Sequence, residues 1–260
     1  MVAVYYRRLS DGDSLVIDAD TIYHAASTMK VPVMIELFRA IDAGRLKLSQ
    51  PVSVTNQFKS LADGSPFSAD SADDSDSTLY HEIGHSVPLE RLMDLMIQKS
   101  SNLATNTVIE LVGATRVDSE AHALGVTRMR VLRGVEDGKA FQLGLNNVTT
   151  ARDLGILMRA IGENRAASRK SCEAMRKILL GQEFDTEIPA GLPPGTRVAH
   201  KTGWITGVLH DGAIVYPNGS GPYVLVVLTK GIPDVKVAQS LIADISRMVY
   251  ARATTAYLRS

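Results

Sequence analysis

The 260-residue chain has a single cysteine, Cys172, and few aromatic residues, which make up 5% of the sequence. A lone cysteine cannot form an intrachain disulfide or supply a zinc site made of several thiolates. The 28 basic and 28 acidic residues cancel, so no net charge favours nucleic acid or an anionic membrane surface. No apolar run approaches the roughly 20 residues that a membrane-spanning helix requires. We therefore predict no nucleic-acid partner and no membrane span.

The residues that are present are typical of a globular protein with a substantial core. Hydrophobic residues make up 45% of the chain and charged residues 22%. A chain of this length buries most of its apolar surface without disulfides or structural metals. No leader sequence is evident, because the first six residues, Met1-Val2-Ala3-Val4-Tyr5-Tyr6, have the pattern of a strand.

Hydrophobic periodicity predicts strands at both ends of the chain and helices between them. Predicted strands cover residues 2–8, 14–18, 198–202, 210–216 and 223–229. Predicted helices cover residues 27–43, 88–99, 102–112, 116–124, 150–161, 167–180 and 234–251. We predict an α/β plus all-α fold of two lobes, in which both chain ends form one antiparallel sheet around an inserted helical lobe. The α/β lobe comprises residues 1–45 and 190–260, and the helical lobe residues 46–189.

Two segments lack such periodicity and are predicted to be loops. Residues 62–78 combine five aspartates with serines and no basic residue, which indicates a solvated surface loop. Residues 130–149 show neither a helical nor a strand period.

Three short motifs carry residues suited to acyl transfer. Ser27-Thr28-Met29-Lys30 spaces a serine and a lysine by three, which places them one helical turn apart. A serine hydroxyl requires an adjacent base to become a nucleophile, and a lysine with a lowered pKa is suitable. Taken alone, the tetrad is a weak signal, since Ser27 could equally be a helix N-cap.

The other two motifs are also weak individually. Ser100-Ser101-Asn102 lies between two predicted helices, where Ser100 can relay a proton and the Asn102 amide can both donate and accept. Lys201-Thr202-Gly203 ends a predicted strand. Its lysine and hydroxyl can bind a substrate carboxylate, and Gly203 allows close approach to the strand edge.

Together and in this order, the three motifs resemble those of class A β-lactamases and penicillin-binding proteins. The resemblance extends from the first strand to the last helix. A strand that begins with His210-Asp211 and ends at Pro217 is similar to one in that family. The resemblance implies a serine hydrolase that needs no metal or organic cofactor.

The resemblance also implies a role for each motif residue. Ser27 is the acylated nucleophile with Lys30 as its partner, and Ser100 shuttles a proton. Asn102, Lys201, Thr202 and Gly203 bind substrate. The backbone N–H groups of Ser27 and Trp204 form the oxyanion hole, in which one donor contributes about 3 kcal/mol.

In the family, a glutamate in a Glu-x-x-Leu-Asn pattern is the base that hydrolyses the acyl-enzyme. This sequence departs from that pattern. Three residues before Leu145-Asn146 stands Gln142, which cannot accept a proton from water. Glu136 and Asp137 stand about as far before Thr149-Thr150, where the next helix is predicted to start, as the family's glutamate stands before its own helix. We therefore predict Glu136 as the base, with Asp137 as the alternative. No arginine lies between Trp204 and Tyr216, where many relatives have a second carboxylate contact.

These residues predict a class A-type β-lactamase that hydrolyses the β-lactam amide through an acyl-enzyme on Ser27. The alternative is a penicillin-binding D,D-peptidase or esterase with slow deacylation. Either would act on a small β-lactam or peptidoglycan-like substrate, as a monomer, in the periplasm or outside the cell.

A more remote alternative is a zinc metalloprotease. His81-Glu82-Ile83-Gly84-His85 matches the zinc-protease motif, in which two histidines on one helix face bind the metal and the glutamate is the base. This reading requires a helix, although Gly84 and the following Pro88 disfavour one.

Overall fold

The computed structural model describes residues 1–255. Its strands are β1 Val2–Arg8, β2 Ser14–Ile17, β3 Tyr23–His24, β4 Pro51–Ser53, β5 Phe58–Lys59, β6 Pro66–Phe67, β7 Ser86–Pro88, β8 Val148–Thr149, β9 Arg197–Ile205, β10 Val208–Tyr216 and β11 Tyr223–Lys230. Its α-helices are α1 Lys30–Asp42, α2 Leu89–Gln98, α3 Asn102–Val112, α4 Ala114–Ala123, α5 Gly138–Gln142, α6 Ala151–Gly162, α7 Arg169–Leu179 and α8 Val235–Thr255. Three 3₁₀ turns cover Ala26–Met29, Thr78–Glu82 and Pro189–Gly191.

Both chain ends contribute to one five-stranded antiparallel sheet, as predicted. The strand order is β2-β1-β11-β10-β9, so the first strand pairs with the last. Sequence positions 2–8 therefore lie beside positions 223–229. The predicted fold class is confirmed, and its lobe boundaries at 45/46 and 189/190 stay a prediction.

Both faces of the sheet are covered, which explains why its central strands are almost continuously apolar. Alternate residues of a strand point to opposite faces. On β1, Tyr5 packs into the core shared with the helices, whereas Val4 and Tyr6 pack into a second core with α8. Helix α1 packs among α2, α3, α4 and α7. Within residues 1–255, no helix has the length and hydropathy to cross a membrane.

Candidate active site

Ser27 lies in a 3₁₀ turn, and α1 begins only at Lys30, so the predicted helix start at Ser27 is wrong by three residues. The reason is Pro32, which has no N–H to bond back to the carbonyl of Thr28. Once α1 begins at Lys30, Pro32 falls in its first turn, where N–H groups have no intrahelical partner. Ala26, just before the serine, has a left-handed backbone with φ of 47°.

The Lys30 amine is fully buried and binds the Ser100-Asn102 turn. Its Nζ donates to the Ser100 carbonyl at 2.6 Å, to Asn102 Oδ1 at 3.1 Å and to Ser100 Oγ at 3.2 Å. In the described chain, its hydrogen bonds do not include one to Ser27. Burial lowers the pKa of Lys30 to about 7, opposed by the charges of Asp74 and Glu136. Near neutral pH, the amine therefore exchanges a proton readily.

Ser100 lies between two lysines, because the Lys201 amine reaches the same hydroxyl from β9. Lys201 Nζ is 3.0 Å from Ser100 Oγ and donates to the Thr202 carbonyl at 2.9 Å. Burial, followed by the charge of Lys30, lowers the pKa of Lys201 well below its ordinary value. A hydroxyl held by two amines is suited to relaying a proton between them.

β9 passes so close to the Ser27 turn that residue 203 has to be small. A Cβ on Gly203 would lie 3.0 Å from the backbone nitrogens of both Ser27 and Thr28. The next residue, Trp204, is 58% exposed and lines the same cleft as Ser27 and Thr202. The structure thus brings the three predicted motifs to one cleft of about 820 Å³.

Glu136 also lines this cleft, with a backbone in the left-handed region at φ of 63°. Its Oε1 accepts a hydrogen bond from Asn102 Nδ2 at 2.6 Å, and its Oε2 accepts one from the backbone N–H of Asp70 at 2.7 Å. Burial is the largest cause of the raised pKa of Glu136, reinforced by the charges of Asp74 and Asp73 and opposed by those two hydrogen bonds. A carboxyl with a raised pKa is a stronger base than an ordinary one.

Asp137, the alternative base, also lines the cleft, but its surroundings differ from those of Glu136. Asp137 is buried, and its carboxylate accepts from Ser60 Oγ at 2.8 Å, Leu61 N at 2.8 Å and Ala140 N at 3.1 Å. It therefore holds the loop and caps α5. Gln142 ends α5 and is exposed.

Asp74 is an important site residue that the sequence did not reveal. Its Oδ2 accepts from the backbone N–H groups of Asn102 and Leu103, at 2.8 and 2.9 Å, and from the hydroxyls of Ser101 and Tyr80, at 3.2 and 3.1 Å. The carboxylate thus binds the first N–H groups of α3, beside the N-cap Ser101, where the Ser100-Asn102 turn leads into the helix. Most of residues 62–78 are exposed, as predicted, but Asp74 folds inward, and no local pattern marks which aspartate does so.

Replacing Asp74 with alanine should lower the free energy of unfolding by about 1–2 kcal/mol, because α3 loses its capping carboxylate. Urea denaturation of wild type and variant would measure this loss. The matched control is Asp73→Ala, in the same loop but with an exposed side chain. Equal losses for the two variants would contradict the capping role.

The His81–His85 segment lacks the helix that a zinc-protease motif requires. The 3₁₀ turn ends at Glu82, and Gly84 adopts a positive φ of 89°. Glu82 instead pairs with Arg91 at 3.1 Å. Among residues 1–255, no group of three or more histidine, cysteine, aspartate or glutamate side chains is arranged to hold a metal.

Comparisons with known proteins agree with this geometry. Residues 1–253 match the family described as the β-lactamase enzyme family. The chain is 24% identical to β-lactamase VEB-1 of Pseudomonas aeruginosa over 255 residues, covering 93% of this chain and 81% of the relative.

Two solved structures superpose over almost all of this chain. The β-lactamase of Sphaerobacter thermophilus is 29% identical, with 98% and 92% of the two chains covered and a TM-score of 0.84. PBP-A is 28% identical, with 97% and 89% covered and a TM-score of 0.83. Because nearly the whole chain matches this family, we conclude that the chain belongs to the β-lactamase enzyme family.

Proposed function

We propose that this hydrolase is a class A-type serine β-lactamase that forms and then hydrolyses an acyl-enzyme on Ser27. The observation that carries the proposal is the Glu136 carboxyl, which lines the same cleft as Ser27 and binds Asn102 at 2.6 Å. Membership of the family supports acylation, and a carboxyl in this position supports the second, hydrolytic step.

In the proposed acylation, the neutral Lys30 amine takes the Ser27 proton, relayed by Ser100. Ser27 Oγ then attacks the lactam carbonyl carbon, and the ring C–N bond breaks. Ser100 passes a proton back to the departing nitrogen. The backbone N–H groups of Ser27 and Trp204 stabilise the oxyanion, while Lys201 and Thr202 bind the substrate carboxylate.

In the proposed deacylation, Glu136 takes a proton from water as the water oxygen attacks the ester carbonyl. The bond to Ser27 Oγ then breaks, the proton held by Glu136 is returned to Oγ, and the opened product leaves as a free acid. Asn102 orients Glu136 through its amide, so one residue links the substrate-binding turn to the base.

The rate of Ser27 acylation should rise as the pH increases through about 7 and then level off, because Lys30 loses its proton there. Stopped-flow measurement of adduct formation between pH 5.5 and 8.5 would give this profile. The Glu136→Gln variant should keep the rise but shift it to lower pH, because the charge of Glu136 raises the pKa of Lys30. A flat profile would exclude Lys30 as the base.

A penicillin-binding acyl trap is the second candidate, favoured by one specific observation. Both Glu136 oxygens already accept hydrogen bonds, from Asn102 and from the Asp70 N–H, and this occupancy restrains the carboxyl. A variant of PBP-A, 28% identical over 97% of this chain, forms an acyl-enzyme complex with penicillin G. A periplasmic or secreted location and a monomeric state remain part of the proposal.

Hydrolysis of a chromogenic cephalosporin, with intact mass spectrometry on the same sample, separates the candidates. Turnover without a lasting adduct supports the β-lactamase. A lasting adduct with little turnover supports the acyl trap. If neither occurs, both candidates are wrong, and a chelator control would then test for metal-dependent hydrolysis.

A further inference from the structure

His24 lines the cleft three residues before Ser27, and neither the motifs nor the proposed mechanism uses it. Its ring nitrogen Nδ1 accepts a hydrogen bond from the backbone N–H of Ala26 at 3.0 Å. Ala26 is the residue with the left-handed backbone just before the nucleophile. The ring of His24 therefore binds the turn that presents Ser27 to the cleft.

The hydrogen bond to His24 is important because Ala26 has an unfavourable backbone conformation. A φ of 47° crowds the Cβ of any residue other than glycine, so this conformation persists only where its surroundings enforce it. Ala26 is only 7% exposed, and its N–H is directed to His24. Without this acceptor a buried N–H would lose its partner, and the turn would relax to satisfy it.

His24 is itself held in place by its backbone and by its ring. Strand β3 pairs with β8 so that His24 lies opposite Val148. The His24 carbonyl accepts a hydrogen bond from His210 Nε2 at 2.9 Å. The His24 ring meets the ring of Phe141 edge to face, with centroids 6.0 Å apart. The imidazole is therefore an anchored acceptor for the Ala26 N–H.

Both histidines are neutral in this arrangement. A ring nitrogen that accepts a hydrogen bond carries no proton, so His24 carries its proton on Nε2. Burial, followed by the charge of Arg133, lowers the pKa of His24. Burial also lowers the pKa of His210 to about 4, and its Nδ1 accepts from the Thr229 N–H at 3.2 Å. At neutral pH, Nδ1 of His24 is thus available to Ala26.

We propose that His24 is a positioning residue for acylation, which sets the Ser27 turn through its hydrogen bond to Ala26. The turn carries both the Ser27 hydroxyl and the Ser27 N–H, and both must lie within reach of one substrate carbonyl group. Such geometry tolerates little displacement. This inference rests on the proposed function only for the role of Ser27 as nucleophile and oxyanion donor.

The first test needs no substrate and measures by NMR, at pH 7, how fast the Ala26 amide hydrogen exchanges with solvent. His24→Phe keeps a ring but removes the acceptor, and should raise the exchange rate by at least about tenfold. His24→Asn should stay close to wild type, because an asparagine side-chain oxygen accepts from the N–H two residues further on. Equal exchange rates in the three proteins would overturn the proposal.

The second test measures acylation by a penicillin, followed as the loss of lactam absorbance in a single turnover. It separates the rate constant of acylation from the dissociation constant of the preceding complex. His24→Phe should lower the rate constant by about tenfold and keep the dissociation constant within about twofold, because the contacts proposed for the substrate carboxylate lie on β9. His24→Asn should restore the rate constant. A merely structural role of the ring predicts the opposite order, since phenylalanine resembles histidine more closely in shape.

Two further variants control both measurements. His81→Phe makes the same substitution at an exposed histidine outside the cleft and should be acylated like wild type. His24→Leu also removes the acceptor, and it replaces His24→Phe if that variant does not fold. If His24→Phe and His24→Asn are acylated at equal rates, the role of His24 is wrong and the proposed function stands. If wild type forms no adduct on Ser27, the proposed function is wrong, and the exchange of the Ala26 amide alone decides whether His24 holds the turn.

Discussion

Replacing Ser27 with alanine is expected to abolish covalent labelling by a fluorescent penicillin and to lower turnover by at least about 10³-fold. The physical reason is that no other hydroxyl lies in the 3₁₀ turn beside Gly203 with access to the cleft. Thr28, the adjacent residue, is fully buried, and its hydroxyl donates to the Ala25 carbonyl at 2.6 Å. In-gel fluorescence after a short exposure to the penicillin would measure the loss.

The control for this result is Ser119→Ala on the exposed face of α4, where the hydroxyl donates only to the Thr115 carbonyl at 3.0 Å. That variant should label like wild type. Labelling that persists in Ser27→Ala would refute the assignment of the nucleophile, and peptide mapping of the labelled protein would then identify the residue that reacts.

Replacing Glu136 with glutamine is expected to leave acylation nearly intact and to slow deacylation by about 10²–10⁴-fold, because an amide cannot accept a proton from water. Intact mass spectrometry should then show a persistent adduct on a protein that still reacts at close to the wild-type rate. The glutamine amide can keep only one of the two present contacts as an acceptor, to Asn102 or to the Asp70 N–H. Thermal unfolding of the variant would show whether the loop is retained.

Glu82→Gln is the matched control for the Glu136 variant. Glu82 is the glutamate of the zinc-protease pattern, and it pairs with Arg91 outside the cleft. We expect the Glu82→Gln variant to hydrolyse a cephalosporin at the wild-type rate. Unchanged turnover in Glu136→Gln would remove Glu136 from the mechanism, and lost turnover in Glu82→Gln would revive the zinc alternative.

The regular elements could be predicted closely wherever apolar periodicity was strong. Helix α3 was predicted at residues 102–112 and is observed at Asn102–Val112, and β11 was predicted at 223–229 and is observed at Tyr223–Lys230. Both carry long apolar patterns whose period can be read from the sequence without knowing the partner. The two-residue strands β3 and β8 were missed, because their pairing depends on a partner more than 120 residues away.

The sequence alone determined the order of the long helices and of the strands of the main sheet, and the identity of the three motifs. It also predicted Glu136 as the deacylating base with Asp137 as the alternative, and both residues line the cleft. Their roles stay a prediction.

Only the tertiary structure decided which isolated charges belong to the site. Asp74 stands in a stretch with no local signal, and its partners Asn102 and Leu103 on α3 are distant in sequence. The lowered pKa of Lys30 is likewise a tertiary property, since burial against the Ser100 turn produces it. Desolvation and hydrogen bonding depend on what a folded chain places around a group, and spacing along the sequence does not encode that.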